Sequence, residues 1–339
     1  VVTVPFPVSA PVVNPEQQPD PEPQSDPRLL AFESAFDSVA DDPGLIGAAI
    51  GFCVLDAAGE IIYARQGDIA HIPASSLKTL TTATALEVLG PEFRFETRLG
   101  VSEADEKGIS KGDLILLGGG DPMLSIRDYE SWIEGLVKAG LVSAPGRVVG
   151  DGRLFPGSTF ADFWNWGDIG NGYGSPVSGL NLEHNRFRAT ILPAEIEGEA
   201  TTLGEIVPEV PEVKWKNEVL TGPAGSGDGT IIHGGESASV MYLRGTIPID
   251  QEMIVKGAVP DPERFAAHHL REALLAAGIA VSGAAVGAGE LVLKEEDVPV
   301  IGKELLVHRS PPLLEIVRSI HETSDNHETE CLFQTLSLQ

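Results

Sequence analysis

Basic residues are scarce in this chain of 339 residues: 23 Lys and Arg face 50 Asp and Glu, a formal net charge of −27. Such a surface repels phosphates, which excludes nucleic acid as a partner. Cysteine is nearly absent. Cys53 stands in an apolar, strand-like run and Cys331 in a helical one. Both segments read as core, so two buried thiols are expected rather than a disulfide. No run of eighteen apolar residues occurs, which excludes a membrane-spanning helix in the sequence given. The first residue is Val, with no basic-then-apolar leader before the rest. An export signal is therefore expected to have been removed or to lie outside this sequence. Metal-ligand spacing is lacking too. His321 and His327, with Glu322 and Glu328, do not make H-E-x-x-H and read as a solvated helix end. His268 and His269 are adjacent on a helix and cannot share a face. Gly118-Gly119-Gly120-Asp121 has no following Lys-Ser or Lys-Thr, so it reads as a tight turn rather than a phosphate cradle.

What is present is more specific. The length allows about two or three domains with ample core. Val4 to Pro27 is rich in proline and reads as an extended tether. Two strand-like segments, Leu45 to Leu55 and Glu60 to Arg65, flank the turn Asp56-Ala57-Ala58-Gly59. Next comes Pro73-Ala74-Ser75-Ser76-Leu77-Lys78, and then Leu77, Leu80, Ala83, Thr84 and Val88 recur at helical spacing until Gly90-Pro91 ends the helix. Residues three apart share a helix face, so Ser75 and Lys78 can meet. A serine hydroxyl is a weak nucleophile until a base takes its proton. A lysine can be that base when burial and the positive end of a helix lower its pKa.

A strand pair followed by a helix with serine and lysine on its first turn looks like the penicillin-recognising serine acyl transferases. Ser324-Asp325-Asn326 supplies the second motif that pairs with S-x-x-K in that superfamily. About 245 residues separate the two motifs, far more than the small insert of a simple β-lactamase. In this interval and before it, Leu89-Gly90-Pro91-Glu92-Phe93-Arg94-Phe95, Gly119-Gly120-Asp121-Pro122, Gly150-Asp151 through Phe155, and Gly174-Ser175-Pro176-Val177-Ser178 to Asn185 resemble the class C low-molecular-mass penicillin-binding proteins. These are D-alanyl-D-alanine carboxypeptidase/endopeptidases of the DacB type. The resemblance runs in order from about Ala48 to Leu336. The family's third element, K-T-G, does not occur: the only Lys-Thr pair is Lys78-Thr79. The sequence is therefore expected to be part of a longer protein.

The resemblance implies an α/β (α+β) penicillin-binding, β-lactamase-like acyl-transferase domain with two nested inserted domains, one mostly β and one small α/β. The expected division is a Pro-rich leader over 1–27, the acyl-transferase domain over 28–95 and 298–339, the mostly-β insert over 96–120 and 186–297, and the small α/β insert over 121–185. It further implies a serine D-Ala-D-Ala carboxypeptidase, with or without endopeptidase activity, that cleaves peptidoglycan stem peptides and is inhibited by β-lactam antibiotics. Ser75 would be the nucleophile, Lys78 its base, Ser324 the proton relay to the leaving amine, and Asn326 the holder of the substrate amide. Asp151, with Phe155 nearby, would face the diamino-acid side chain of the substrate; a plain turn-forming Asp is the competing reading. No metal or cofactor is implied. The expected location is periplasmic or extracellular. A β-lactamase-like hydrolase and a non-catalytic envelope scaffold of the same fold are the alternatives.

Overall fold

The computed structural model describes residues 27–104, 110–138, 141–162 and 164–339. Apart from Pro27, the expected leader lies outside the described residues, as does Phe163. The chain forms two compact units that divide between Ala74 and Ser75.

The first unit contains helix α1 (Pro27–Ala40) and an antiparallel hairpin of β1 (Phe52–Leu55) and β2 (Ile61–Arg65). Asp56 makes the turn, its Oδ1 accepting from the N–H of Ala58 at 2.8 Å and of Glu60 at 2.9 Å, the local bonding that makes Asp a turn former. Gly59 there has φ 86°, a conformation glycine adopts without cost. Phe52 stacks on Phe32 and meets Tyr63 edge-on. Alternation along β1 leaves Cys53 exposed, which corrects the expectation of a buried thiol there. Side chains on a strand alternate between faces, and the aromatic side took Phe52.

The second unit starts at Ser75, within the 3-10 turn Ala74–Leu77, and runs into α2 (Lys78–Leu89). Strands β3 (Glu96–Val101) and β4 (Leu114–Leu117), helix α3 (Ile126–Lys138), and strands β5 (Ser143–Ala144) and β6 (Val148–Asp151) follow. Six strands come next: β7 (Arg186–Leu192), β8 (Thr202–Val207), β9 (Lys214–Gly222), β10 (Ile231–His233), β11 (Val240–Pro248) and β12 (Met253–Ala258). The remaining elements are α4 (Pro262–Ala276), β13 (Ala280–Val281), β14 (Ala285–Gly287), α5 (Ala288–Leu293), β15 (Lys303–Arg309), α6 (Leu313–Thr323) and α7 (Asn326–Leu336).

One five-stranded sheet has the order β14-β6-β4-β3-β15. Its β14, β6 and β4 run parallel, and β3 and β15 pair antiparallel to their neighbours. Leu114, Ile115 and Leu116 are all buried, as expected where both faces of a sheet are covered. This sheet cuts across the division expected from the sequence, because it joins 96–117, 148–151, 285–287 and 303–309. Backbone N–H and C=O groups must be paired wherever they are buried, and edges far apart in sequence satisfy each other. Two three-stranded sheets, β12-β7-β8 and β10-β11-β9, hold the β-rich segment.

The main core gathers Leu99, Leu114, Tyr129, Trp132, Phe187 and Phe265 among others. A second, separate core holds Ala85, Phe95, Leu313, Ile316, Ile320 and Leu332. It glues α2 to α6 and α7, and those three helices carry the candidate chemistry. The glycine run before Asp121 is a packing device: a Cβ at Gly118 would lie 2.2 Å from the Gly179 carbonyl oxygen, and one at Gly119 2.1 Å from that of Glu96. No described helix is long and apolar enough to cross a membrane.

Candidate active site

The apolar residues that mark α2 in the sequence do not form its buried face. Leu77, Leu80 and Val88 are exposed, whereas Lys78, Thr82 and Ala85 are buried. Periodicity locates a helix, but only its partners decide which stripe faces inward. Here α6 and α7 cover the stripe that carries Lys78.

Ser75 sits in the 3-10 turn, and Lys78 is the first residue of α2. The Lys78 ammonium donates to Ser75 Oγ at 3.1 Å and to Asn326 Oδ1 at 2.6 Å. The S-x-x-K and S-D-N elements, 248 positions apart at these two residues, thus meet at a single nitrogen. Burial pulls the Lys78 amine below its usual pKa, and the charges of Asp325 and Glu330 oppose this. A lysine so placed moves toward the neutral form that can accept a proton.

Ser324 ends α6 with φ 56°, a strained conformation for a residue with a side chain. It and Asn326 line a cavity of about 420 Å³, with Asn171, Tyr173, Arg186 and Lys256 on other walls. Ser75 and Lys78 lie outside this lining and connect to it through Asn326. The Asn326 amide also donates to the Tyr173 carbonyl at 3.0 Å, which fixes which end of the amide faces Lys78.

Asp325, His327 and Glu328, on either side of Asn326, are held from the segment 181–186. Arg186 grips both oxygens of Asp325, at 2.6 and 3.1 Å. Burial alone would raise the Asp325 carboxyl, but Arg186 holds it well below the usual carboxylate range. Asp325 also caps α7 by accepting from the Glu328 N–H at 3.0 Å. His184 Nε2 bonds Glu328 at 3.0 Å. His327 lies between Asn181 and Asn185, at 3.2 Å from each. Glu183, His184 and Asn185 all have φ between 51° and 57°, three strained residues in succession at the point that holds the second motif.

Several expectations change here. His327 and Glu328 are buried rather than solvated, because α7 turns that face toward 181–186; His321 is exposed. Ser310, just before α6, accepts from the Phe95 N–H at 2.9 Å, and Pro312 holds the cap position of that helix. Asp151 and Phe155 are not brought to the cavity of Asn326. Asp151 is buried at the end of β6, and Arg153, two residues on, pairs with it at 2.8 Å. Phe155 packs toward Gly120. Sequence reasoning missed Tyr173, Arg186 and Lys256, of which only the phrase ending at Asn185 gave any signal. His184, Asp325 and Glu328 offer ligand atoms within 4.8 Å of one another. Arg186 already occupies both Asp325 oxygens, so a second cation does not fit there.

Known proteins place this arrangement in context. A curated D-alanyl-D-alanine carboxypeptidase of Actinomadura sp. (strain R39) is 30% identical over 308 residues, covering 88% of this chain and 56% of that protein. The D-alanyl-D-alanine carboxypeptidase DacB of Haemophilus influenzae is 24% identical over 297 residues, covering 86% of this chain and 59% of that protein. The chain thus spans little more than half the length of these relatives. The crystal structure of penicillin binding protein 4 (dacB) from Haemophilus influenzae has the same fold, with a TM-score of 0.69 at 23% identity over 82% of this chain and 60% of that one. It is an α/β acyl-transferase fold with inserted domains. The profile of the D-Ala-D-Ala carboxypeptidase 3 (S13) family matches residues 32–339, and to that family this chain belongs.

Proposed function

We propose that the protein is a serine D-Ala-D-Ala carboxypeptidase that cleaves peptidoglycan stem peptides through an acyl-enzyme on Ser75. The observation that carries this reading is the Lys78 amine bonded at once to Ser75 Oγ and Asn326 Oδ1. In the neutral form Lys78 takes the Ser75 proton as Oγ attacks the carbonyl between the two terminal D-alanines. The tetrahedral oxyanion receives a hydrogen bond from the Ser75 N–H, a kind of contact whose loss costs about 10²- to 10³-fold. Collapse expels the terminal D-alanine, whose amine takes a proton by way of Ser324. Water then hydrolyses the ester. Asn326 holds the substrate amide and keeps the Lys78 nitrogen beside Oγ.

The helices that carry these groups, α2, α6 and α7, share a small core of their own, which supports assigning them to the acyl-transferase part of the chain. A cell-wall substrate puts the protein outside the cytoplasmic membrane. The test is covalent labelling. A fluorescent penicillin should form a long-lived ester on Ser75, and Ser75→Ala should abolish it. Equal labelling of the alanine variant would remove Ser75 from the mechanism. Rapid penicillin turnover without adduct would indicate a β-lactamase-like hydrolase, and a folded protein that never reacts would indicate a scaffold.

A further inference from the structure

Most cations in this acidic protein are paired. Arg65 bonds Asp37, Arg98 bonds Glu96 and Glu304, Arg147 bonds Asp113, and Arg244 bonds Glu218. Among the described residues six cationic side chains form no ion pair or hydrogen bond: Lys111, Lys214 and Arg318, and a further set of three, Arg127, Arg188 and Lys256. The latter three line one cavity of about 710 Å³, together with Arg186, His184 and Glu183. Glu183, the only carboxylate in that lining, is engaged by the Ile126 N–H at 3.0 Å.

The register makes the concentration of charge sharper. Arg188 on β7 stands directly opposite Lys256 on β12. Both are exposed, and Phe187, Ala189, Val255 and Gly257 around them are buried, so the two cations share the open face of the sheet. Like charges directly opposite each other on a ladder are destabilising. A chain with 50 acids to 23 bases could readily place an acid at either position. A local rule broken without local compensation is expected where a ligand supplies the compensation.

Position says which ligand. The basic cavity shares Arg186 and Lys256 with the cavity lined by Ser324 and Asn326. A chain whose end occupies the second can continue into the first. Guanidinium forks match carboxylates in bidentate geometry. We propose that this cavity is a subsite for carboxylate groups along the peptide whose D-Ala-D-Ala end is cleaved next door, with Arg188, Lys256 and Arg127 as its anion-binding residues. The inference rests on the proposed function and deepens it: the preferred substrate is an acidic peptide.

The test separates the two. Binding is measured on the full chain carrying Ser75→Ala, which cannot acylate, by NMR titration with two D-Ala-D-Ala-terminated peptides. One has free carboxylates along its length, and in the other they are amidated. The free form should bind about tenfold more tightly, as expected for two partly exposed ion pairs, and 0.5 M NaCl should erase the difference. Adding Arg188→Gln and Lys256→Gln should also erase it. Equal affinity for both peptides, or a preference that survives both substitutions, would overturn the proposal. Without ligand, the substituted protein should melt at or above the parent temperature, because repulsion has been removed. A fall of several degrees would show that these cations hold the sheet, and would equally overturn it. Failure of the catalytic reading appears elsewhere, as absence of a penicillin adduct on the wild-type chain.

Discussion

Two aspartates, one buried and one mostly shielded from solvent, differ in one neighbour. Asp325, in the second motif, has Arg186 on both oxygens and is held well below the usual carboxylate range. Asp121, at the end of the glycine run, is 2% exposed. Its Oδ1 accepts from the Met123 N–H, but its Oδ2 has no hydrogen-bond partner. The nearest base, His308, is 3.6 Å away, too far for a hydrogen bond, and its own pKa is lowered by burial. Burial pushes Asp121 up to about 7. Desolvation acts on both carboxyls in the same direction, so the arginine decides the outcome. At Asp325 a fixed anion beside Lys78 is tolerated because Arg186 offsets it. At Asp121 nothing offsets the burial, and the carboxyl keeps its proton until the pH nears about 7.

The largest break in this comparison is at the lysine. Lys78→Arg keeps a cation near Asp325 and Asn326 but cannot yield a proton at neutral pH. Penicillin acylation should fall by about 10²- to 10⁴-fold, the range of general-base contributions, with the thermal melt little changed. Near-normal acylation of the folded variant would take Lys78 out of the reaction.

Next come the aspartates themselves, read as stability against pH. The folded pKa of Asp325 lies below its unfolded value, so its contribution is present above about pH 4 and is lost as pH falls. Asp325→Asn also leaves Arg186 without its partner, and should cost about 3 kcal/mol at pH 7. Asp121 has the opposite sign. Its folded pKa is raised, so the wild-type protein loses stability from this group as pH rises from about 4 to about 7. Asp121→Asn should therefore match wild type near pH 4 and exceed it by about 2 kcal/mol at pH 8. Denaturant melts at the two pH values measure both. A destabilised Asp121→Asn at pH 8 would refute the reading of that site.

The smallest effect sharpens the comparison with a third aspartate. Asp151 has an arginine partner like Asp325, but Arg153 is half-exposed and no catalytic group adjoins the pair. Arg153→Gln should cost about 1 kcal/mol or less and change acylation less than twofold. A tenfold loss of acylation would tie this end of the sheet to the active site after all.

Local spacing made much of the molecule legible in the sequence. The Asp56 turn and the helix that follows Ser75 and ends at Gly90 depend on residues within a few positions of each other. The meeting of Ser75 with Lys78 is local in the same sense, and the S-D-N triplet was recognisable because it is contiguous. Asp151 was singled out through resemblance alone, and the arginine two residues away, which takes its carboxylate, carried no signal of its own.

The sequence by itself singled out Ser75, Lys78, Ser324 and Asn326 as candidates and showed where turns and the helix after Ser75 begin, because those depend on near-neighbour geometry. Tertiary structure alone decided which face of each element is buried: Lys78 rather than Leu80 on α2, His327 inside rather than out, Cys53 out rather than in. It also decided which charges meet, setting Arg186 on Asp325 and leaving Arg188 opposite Lys256. Burial and ion pairing depend on partners that lie tens to hundreds of residues away along the chain, and no short-range pattern encodes them.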